Sequence, residues 1–187
     1  MSTQGAMSND KNPGRPRATR PSRESLGRSR GGLTCKIHLA ADSRCRPISR
    51  VTTAGHRHDS LAFAAVMAGI RIGRRGPGRP RTRPGQVLGD KAYSSRAIRS
   101  HLRRRGIRAV IPEPADQAGH RAKRGSRGGR PPGFDAEAYK QRNIVERAIN
   151  KLKSFRAVAT RYDKRDFVYR GTVDIASIRI WLRDPVP

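Results

Sequence analysis

The chain has 187 residues, with 42 Lys or Arg against 14 Asp or Glu and a formal charge of +28. That excess suits a polyanionic partner held by counterion release, and the low hydrophobic share of 34% means that part of the chain lies outside a packed core. No run of about 18 apolar residues exists, and no apolar stretch follows the basic start, which argues against membrane insertion and secretion.

Residues 1–32 combine Pro13, Gly14, Pro16, Pro21, Gly27, Gly31 and Gly32 with many arginines and almost no apolar anchor besides Leu26. Such a composition is expected to be disordered when free. From Leu33 to the end, residues 33–187, a folded domain is expected. Leu33, Cys35, Ile37 and Leu39 alternate with polar neighbours, the period of a half-buried strand, and a second strand is expected from Pro47 to Thr53. Asp59-Ser60 can cap a helix from Leu61 to Ile70. Residues 74–86 read as a basic loop, and Val87-Leu88 as a short buried strand ending at Asp90. Ser94 or Ser95 can cap a helix that stops at Gly106, with a strand over Ile107–Ile111 beyond it. Residues 112–133 read as a mobile basic loop closed by Asp135, a candidate N-cap. The helix from Ala136 to Phe155 is expected to be the longest, and Val168 to Leu182 is assigned to helix over strand. The order describes a mixed α/β sheet flanked by helices.

Cys35 and Cys45 have neither zinc-site spacing nor the density of a secreted scaffold and are expected to be reduced. His56, His58 and Asp59 are too crowded to close a tetrahedral zinc site and read as a polar turn. Pro13-Gly14-Arg15-Pro16 and Pro77-Gly78-Arg79-Pro80 suit either minor-groove hooks or solvated linkers.

On one continuous helix, Tyr139, Arg142 and Lys153 would fall within roughly 40° of Glu146, while Val145, Ala148, Ile149 and Leu152 face the core. A carboxylate bordering the buried face between two cations can reach a metal while the cations meet phosphates. Solvent-facing ion pairing explains the same spacing.

The spacing Tyr139-x2-Arg142-x3-Glu146-x6-Lys153 matches the Y-x2-R-x3-E-x6-K signature, and in this the chain resembles the insertion-sequence DDE transposases of groups four and five. VLGDKAYSS (87–95) is similar to the strand end that bears their second catalytic aspartate, here Asp90, with 55 residues between it and Glu146. GRSRGGLTCKIHLA (27–40), GHRHDS (55–60) and GSRGGRPPGFD (125–135) extend the similarity over residues 27–183. The resemblance implies an RNase H-like fold in which Asp90 and Glu146 bind Mg²⁺, normally two ions about 3.5–4 Å apart, for DNA cleavage and strand transfer. It further implies that Lys91, Tyr139, Arg142 and Lys153 contact DNA phosphates. The partners expected are transposon-end and target DNA and a second copy of the chain, with no membrane and no small-molecule cofactor, in the bacterial cytoplasm at the nucleoid.

The chain departs from that pattern in its first catalytic aspartate, which family members carry on an apolar strand upstream of the GRSRGG segment. Asp10, among Ser8, Asn9, Lys11, Asn12 and Pro13, cannot sit on such a strand. Asp42 and Asp59 are candidate substitutes without that role in the family pattern, and Asp59 is better suited to capping a helix. The expectation is therefore an N-terminally truncated core, lacking its first strand and inactive alone. The alternatives are a basic, non-enzymatic nucleic-acid-binding protein and a metal-dependent nuclease without strand transfer.

Overall fold

The computed structural model describes residues 25–29 and 32–183. Strand β1 (Gly27–Ser29) pairs antiparallel with β2 (Gly32–Ala41), which pairs antiparallel with β3 (Pro47–Ala54). Of the segment expected to be disordered, Gly27–Ser29 and Gly32 thus belong to strands, and residues 1–24, 30 and 31 lie outside the described residues.

The alternation along β2 has a consequence on each face of the sheet. Cys35, Ile37 and Leu39 pack against a core of Leu152, Val158, Tyr169, Val173, Ala176 and Ile180. Ala40 points the other way, to a second core of Met67, Ile70, Ile98, Leu102, Ile107 and Ile111. His38 is buried and bonded to the Thr53 hydroxyl at 2.7 Å. The β2–β3 turn is held by Asp42, whose carboxylate accepts from the Arg44 and Arg46 amides and from the Arg46 side chain at 2.7 Å.

A second, parallel sheet joins β4 (Gln86–Leu88) to β5 (Arg108–Val110) through helix α2 (Arg96–Arg104). Ser95 caps α2 by accepting from the Ile98 amide, and Gly106, at φ +61°, takes the left-handed conformation that ends it, both as expected. The protein is a mixed α/β fold, and its described strands form two sheets instead of the single one anticipated.

Helix α1 (Phe63–Ala68) follows a 3-10 turn over Asp59–Ala62, and the cap is His58. The His58 imidazole accepts from the Ser60 amide, while Asp59, expected to cap, pairs instead with Lys36 at 2.9 Å. Residues 112–133 are not a loop throughout: α3 spans Ala115–Lys123 and a 3-10 turn covers Gly125–Gly128. No residue of α3 is buried, so hydrophobic periodicity had nothing to report. Its supports are electrostatic: Asp116 in the first turn, His120, Arg121 and Lys123 in the last, and a forked Arg121–Glu113 pair at 2.7 and 3.2 Å. Gly128 is required beside it, since a Cβ there would lie 2.1 Å from the Arg121 carbonyl oxygen.

The helix expected over Ala136–Phe155 is broken into α4 (Ala136–Tyr139), a 3-10 turn (Lys140–Asn143) and α5 (Ile144–Lys153), followed by α6 (Arg156–Ala159). Asp135 caps α4, accepting from the Ala138 amide at 2.9 Å. The longest helix is α7 (Asp166–Arg183), and the assignment of 168–182 to helix holds. It is fastened to β3 by the Thr52 hydroxyl donating to buried Asp166 at 2.6 Å, the Arg50–Asp174 pair, and the Trp181 indole donating to the Pro47 carbonyl at 2.7 Å. Among the described residues no helix is long and apolar enough to cross a membrane.

Candidate active site

Between the C-terminal half of β2 and the separate strand β4 lies a cleft of about 860 Å³. Four carboxylates line it: Asp42, Asp59, Asp90 and Glu146. Two of them are already engaged. Asp42 holds the β2–β3 turn, and Asp59 neutralises Lys36.

Asp90 is placed by the parallel sheet. Two residues past β4, it has extended backbone angles and precedes a 3-10 turn over Lys91–Tyr93 without capping it through its side chain. The residue is exposed; its carbonyl accepts from the Tyr93 amide at 2.9 Å, while its carboxylate has no hydrogen bond or ion pair among the described residues. Glu146 is placed by α5, whose Ala148 and Leu152 are buried at 0% and 1% exposure and seat the helix on β2. Its own side chain is 69% exposed and, among the described residues, reaches only Arg142, at 4.0 Å. Asp90 and Glu146 are therefore the two cleft carboxylates still available to a ligand from outside the chain.

The remaining site residues distribute differently from the single stripe expected. A 3-10 stretch advances about 120° per residue, so the 3-10 turn at Lys140–Asn143 takes Tyr139 and Arg142 out of α-helical phase with Glu146. Arg142 still connects them: it donates to the Tyr139 hydroxyl at 3.3 Å, lies 5.4 Å from that ring's centroid, and lines the cleft beside Glu146. Tyr139 stands outside the cleft, stacked edgewise on Phe134 with centroids 5.2 Å apart. Lys153 lines an adjoining cleft of about 750 Å³, which shares His38, Leu39, Asp59, Tyr93 and Val145 with the first. Lys91 lines neither.

Arg81, Arg83 and Arg108 also face the carboxylate cleft, and sequence reading had passed over them as loop and strand residues. Their only signal was position, since Arg81 and Arg83 sit immediately before β4 and Arg108 begins its partner strand. The Tyr93 phenol, at the meeting of the two clefts, is pushed above its usual range first by burial and then by the charges of Asp59 and Asp90. His38 is held below the usual imidazole value, chiefly by burial, against the opposing pull of Asp59.

The donor set fits a divalent ion in part. Asp90 and Glu146 offer hard carboxylate oxygens with cations close by for phosphates, which suits Mg²⁺ or Mn²⁺. Among the described residues, however, no group of three or more His, Cys, Asp or Glu is gathered closely enough to hold a metal.

Comparison with known proteins places these residues in a family. The profile of the transposase DDE domain family matches residues 12–173, so the similarity begins before Gly27, where motif resemblance had started it. A protein of Brucella ovis that carries the name of a transposase for insertion sequence element IS6501 is 26% identical over 155 residues, covering 81% of this chain and 100% of that protein. No solved structure matches the chain.

Proposed function

The chain belongs to the transposase DDE domain family, and from that premise we propose that it is the catalytic core of an insertion-sequence transposase acting on DNA, with Asp90 and Glu146 as ligands of Mg²⁺. The observation that supports this is the shared cleft: residues of separate strand and helix elements, Asp90 and Glu146 line one space, Asp90 with no side-chain partner among the described residues and Glu146 with a single 4.0 Å contact to Arg142.

A bound divalent ion would supply charge neutralisation for phosphodiester cleavage and strand transfer. The residues themselves do the positioning. Asp90 follows β4 of the parallel sheet and Glu146 belongs to α5, and both line the cleft, which supports a shared ion between them. Arg142, with its guanidinium between Tyr139 and Glu146, can hold a phosphate beside the reacting bond, and Lys153 can hold the same strand further along the joined clefts. Lys91, next to Asp90, adds a further phosphate contact. In an RNase H-like arrangement, the third carboxylate would arrive on a strand seated between β2 and β4, where the two sheets stand apart. If Asp90 and Glu146 are the ion's only carboxylate ligands, strand transfer by this chain is expected to be very low. Action on nucleoid DNA in the bacterial cytoplasm follows from the same proposal.

The test is Mn²⁺ binding, read by electron paramagnetic resonance, together with DNA affinity. Wild type should take up Mn²⁺; Asp90→Asn and Glu146→Gln should each weaken uptake at least about tenfold while leaving DNA affinity unchanged or higher. Mn²⁺ uptake indifferent to both substitutions would overturn the assignment and leave a basic nucleic-acid-binding protein.

A further inference from the structure

Helix α7 is apolar on two opposite faces. One buries Tyr169, Val173, Ala176 and Ile180 in the core. The other carries Phe167, Ile175, Ile178 and Leu182, which are 65%, 71%, 58% and 75% exposed. At about 100° per residue these four side chains fall within an arc of about 80°, with Gly171 at its centre and no charged residue inside it. The arc leaves on the order of 500 Å² of contiguous apolar surface bare, at the upper end of what a monomer exposes.

Gly171 is the second observation. A glycine inside a helix costs about 1 kcal/mol relative to alanine, and packing within the described residues does not require one here, because a Cβ would meet nothing within 4 Å. Its absent side chain does create a notch at the middle of the apolar arc.

We propose that this face of α7 is the interface of a two-fold homodimer, occupied by the same face of a second copy running antiparallel. The pattern is self-complementary, as a two-fold contact requires. The register that sets Phe167 against Leu182 of the second copy also sets the Gly171 notch against Ile178 of the second copy, and it brings the two Ile175 side chains together at the axis. Doubling the bare arc gives roughly 1,000 Å² before flanking groups are counted, the lower bound of a specific interface. A polyanion would gain nothing from an arc without cations. Two chains of charge +28 repel, so the contact must be apolar and must strengthen as salt screens them. DNA binding has the opposite salt dependence.

Sedimentation velocity of the full chain, across a range of concentration and salt, tests this independently of transposition. The expected result is a reversible dimer that tightens with salt. Ile178→Glu should raise its dissociation constant about a hundredfold, and Gly171→Leu at least about tenfold despite better helix propensity. Leu61→Glu, at another exposed apolar position, should leave it unchanged. A wild-type chain that stays monomeric throughout, or a dimer indifferent to both α7 substitutions, overturns the proposal. So does a monomer that floats with neutral phosphatidylcholine vesicles and loses that ability in Ile178→Glu, because the stripe is then a membrane face.

Discussion

Leu152 joins the fold to the site, and its truncation has a calculable effect. It is 1% exposed, on the buried face of α5, packed with Val158, Tyr169 and Val173 under the Cys35, Ile37 and Leu39 face of β2. Leu152→Ala deletes three carbon atoms, about 2–2.5 kcal/mol of transfer free energy, and the cavity left in a well-packed core raises the cost to about 3–4 kcal/mol. With a urea m-value of about 2 kcal/mol/M, the unfolding midpoint should fall by about 1.5–2 M at unchanged slope. Leu152→Met, which conserves volume, should cost less than about 1.5 kcal/mol and keep Mn²⁺ uptake at Glu146. Leu61→Ala, at a position 61% exposed, should change stability by no more than about 0.5 kcal/mol. A loss below about 1 kcal/mol for Leu152→Ala would mean that α5 is not seated on β2 as described, and the placement of Glu146 would go with it.

Two further outcomes follow from the charges around the clefts. If Arg142 and Lys153 each meet a phosphate, Arg142→Ala and Lys153→Ala should each lower the slope of log affinity against log salt by about 1, measured by fluorescence anisotropy with duplex DNA; an unchanged slope removes that residue from the interface. His38 is held below its ordinary value of 6.5, mainly by burial, so the folded state binds fewer protons than the unfolded one between the two values. Its contribution to stability is complete above pH 6.5 and is lost as pH falls through the lower, folded value. Urea midpoints should therefore drop between neutral and mildly acid pH by more in wild type than in His38→Asn; an equal drop would assign the effect to other groups.

How far the sequence disclosed this structure depended on whether an element was specified by its own residues. The alternation of Cys35, Ile37 and Leu39, the Ser95 cap and Gly106 are local devices, and the elements they mark are present with nearly the expected bounds, whereas the Asp135 cap marks the start of its helix but not its length. Helix α3 was illegible to hydrophobic patterning because it buries nothing, though the order Glu113, Asp116, Arg121, Lys123 carried its electrostatic signal. Asp59 does not cap because its carboxylate is taken by Lys36 on a strand 23 residues away, a contact that local reading does not see, and the cap falls to its neighbour His58.

The break at Lys140–Asn143 bears most directly on chemistry. Angular reasoning treated residues 136–155 as one cylinder and obtained a stripe of four polar groups. In the fold the same four residues are divided: Arg142 and Glu146 face the carboxylate cleft, Lys153 faces the adjoining one, and Tyr139 stands behind Arg142 as its support. The arrangement spreads them along the joined clefts, and the seven residue steps of α5 from Glu146 to Lys153 rise about 10 Å, more than the rise of one nucleotide along a strand. Lys153 is thus better placed to hold a phosphate neighbouring the scissile one than the scissile phosphate itself. On that geometry, Lys153→Ala should weaken strand binding, and Glu146→Gln should weaken the ion.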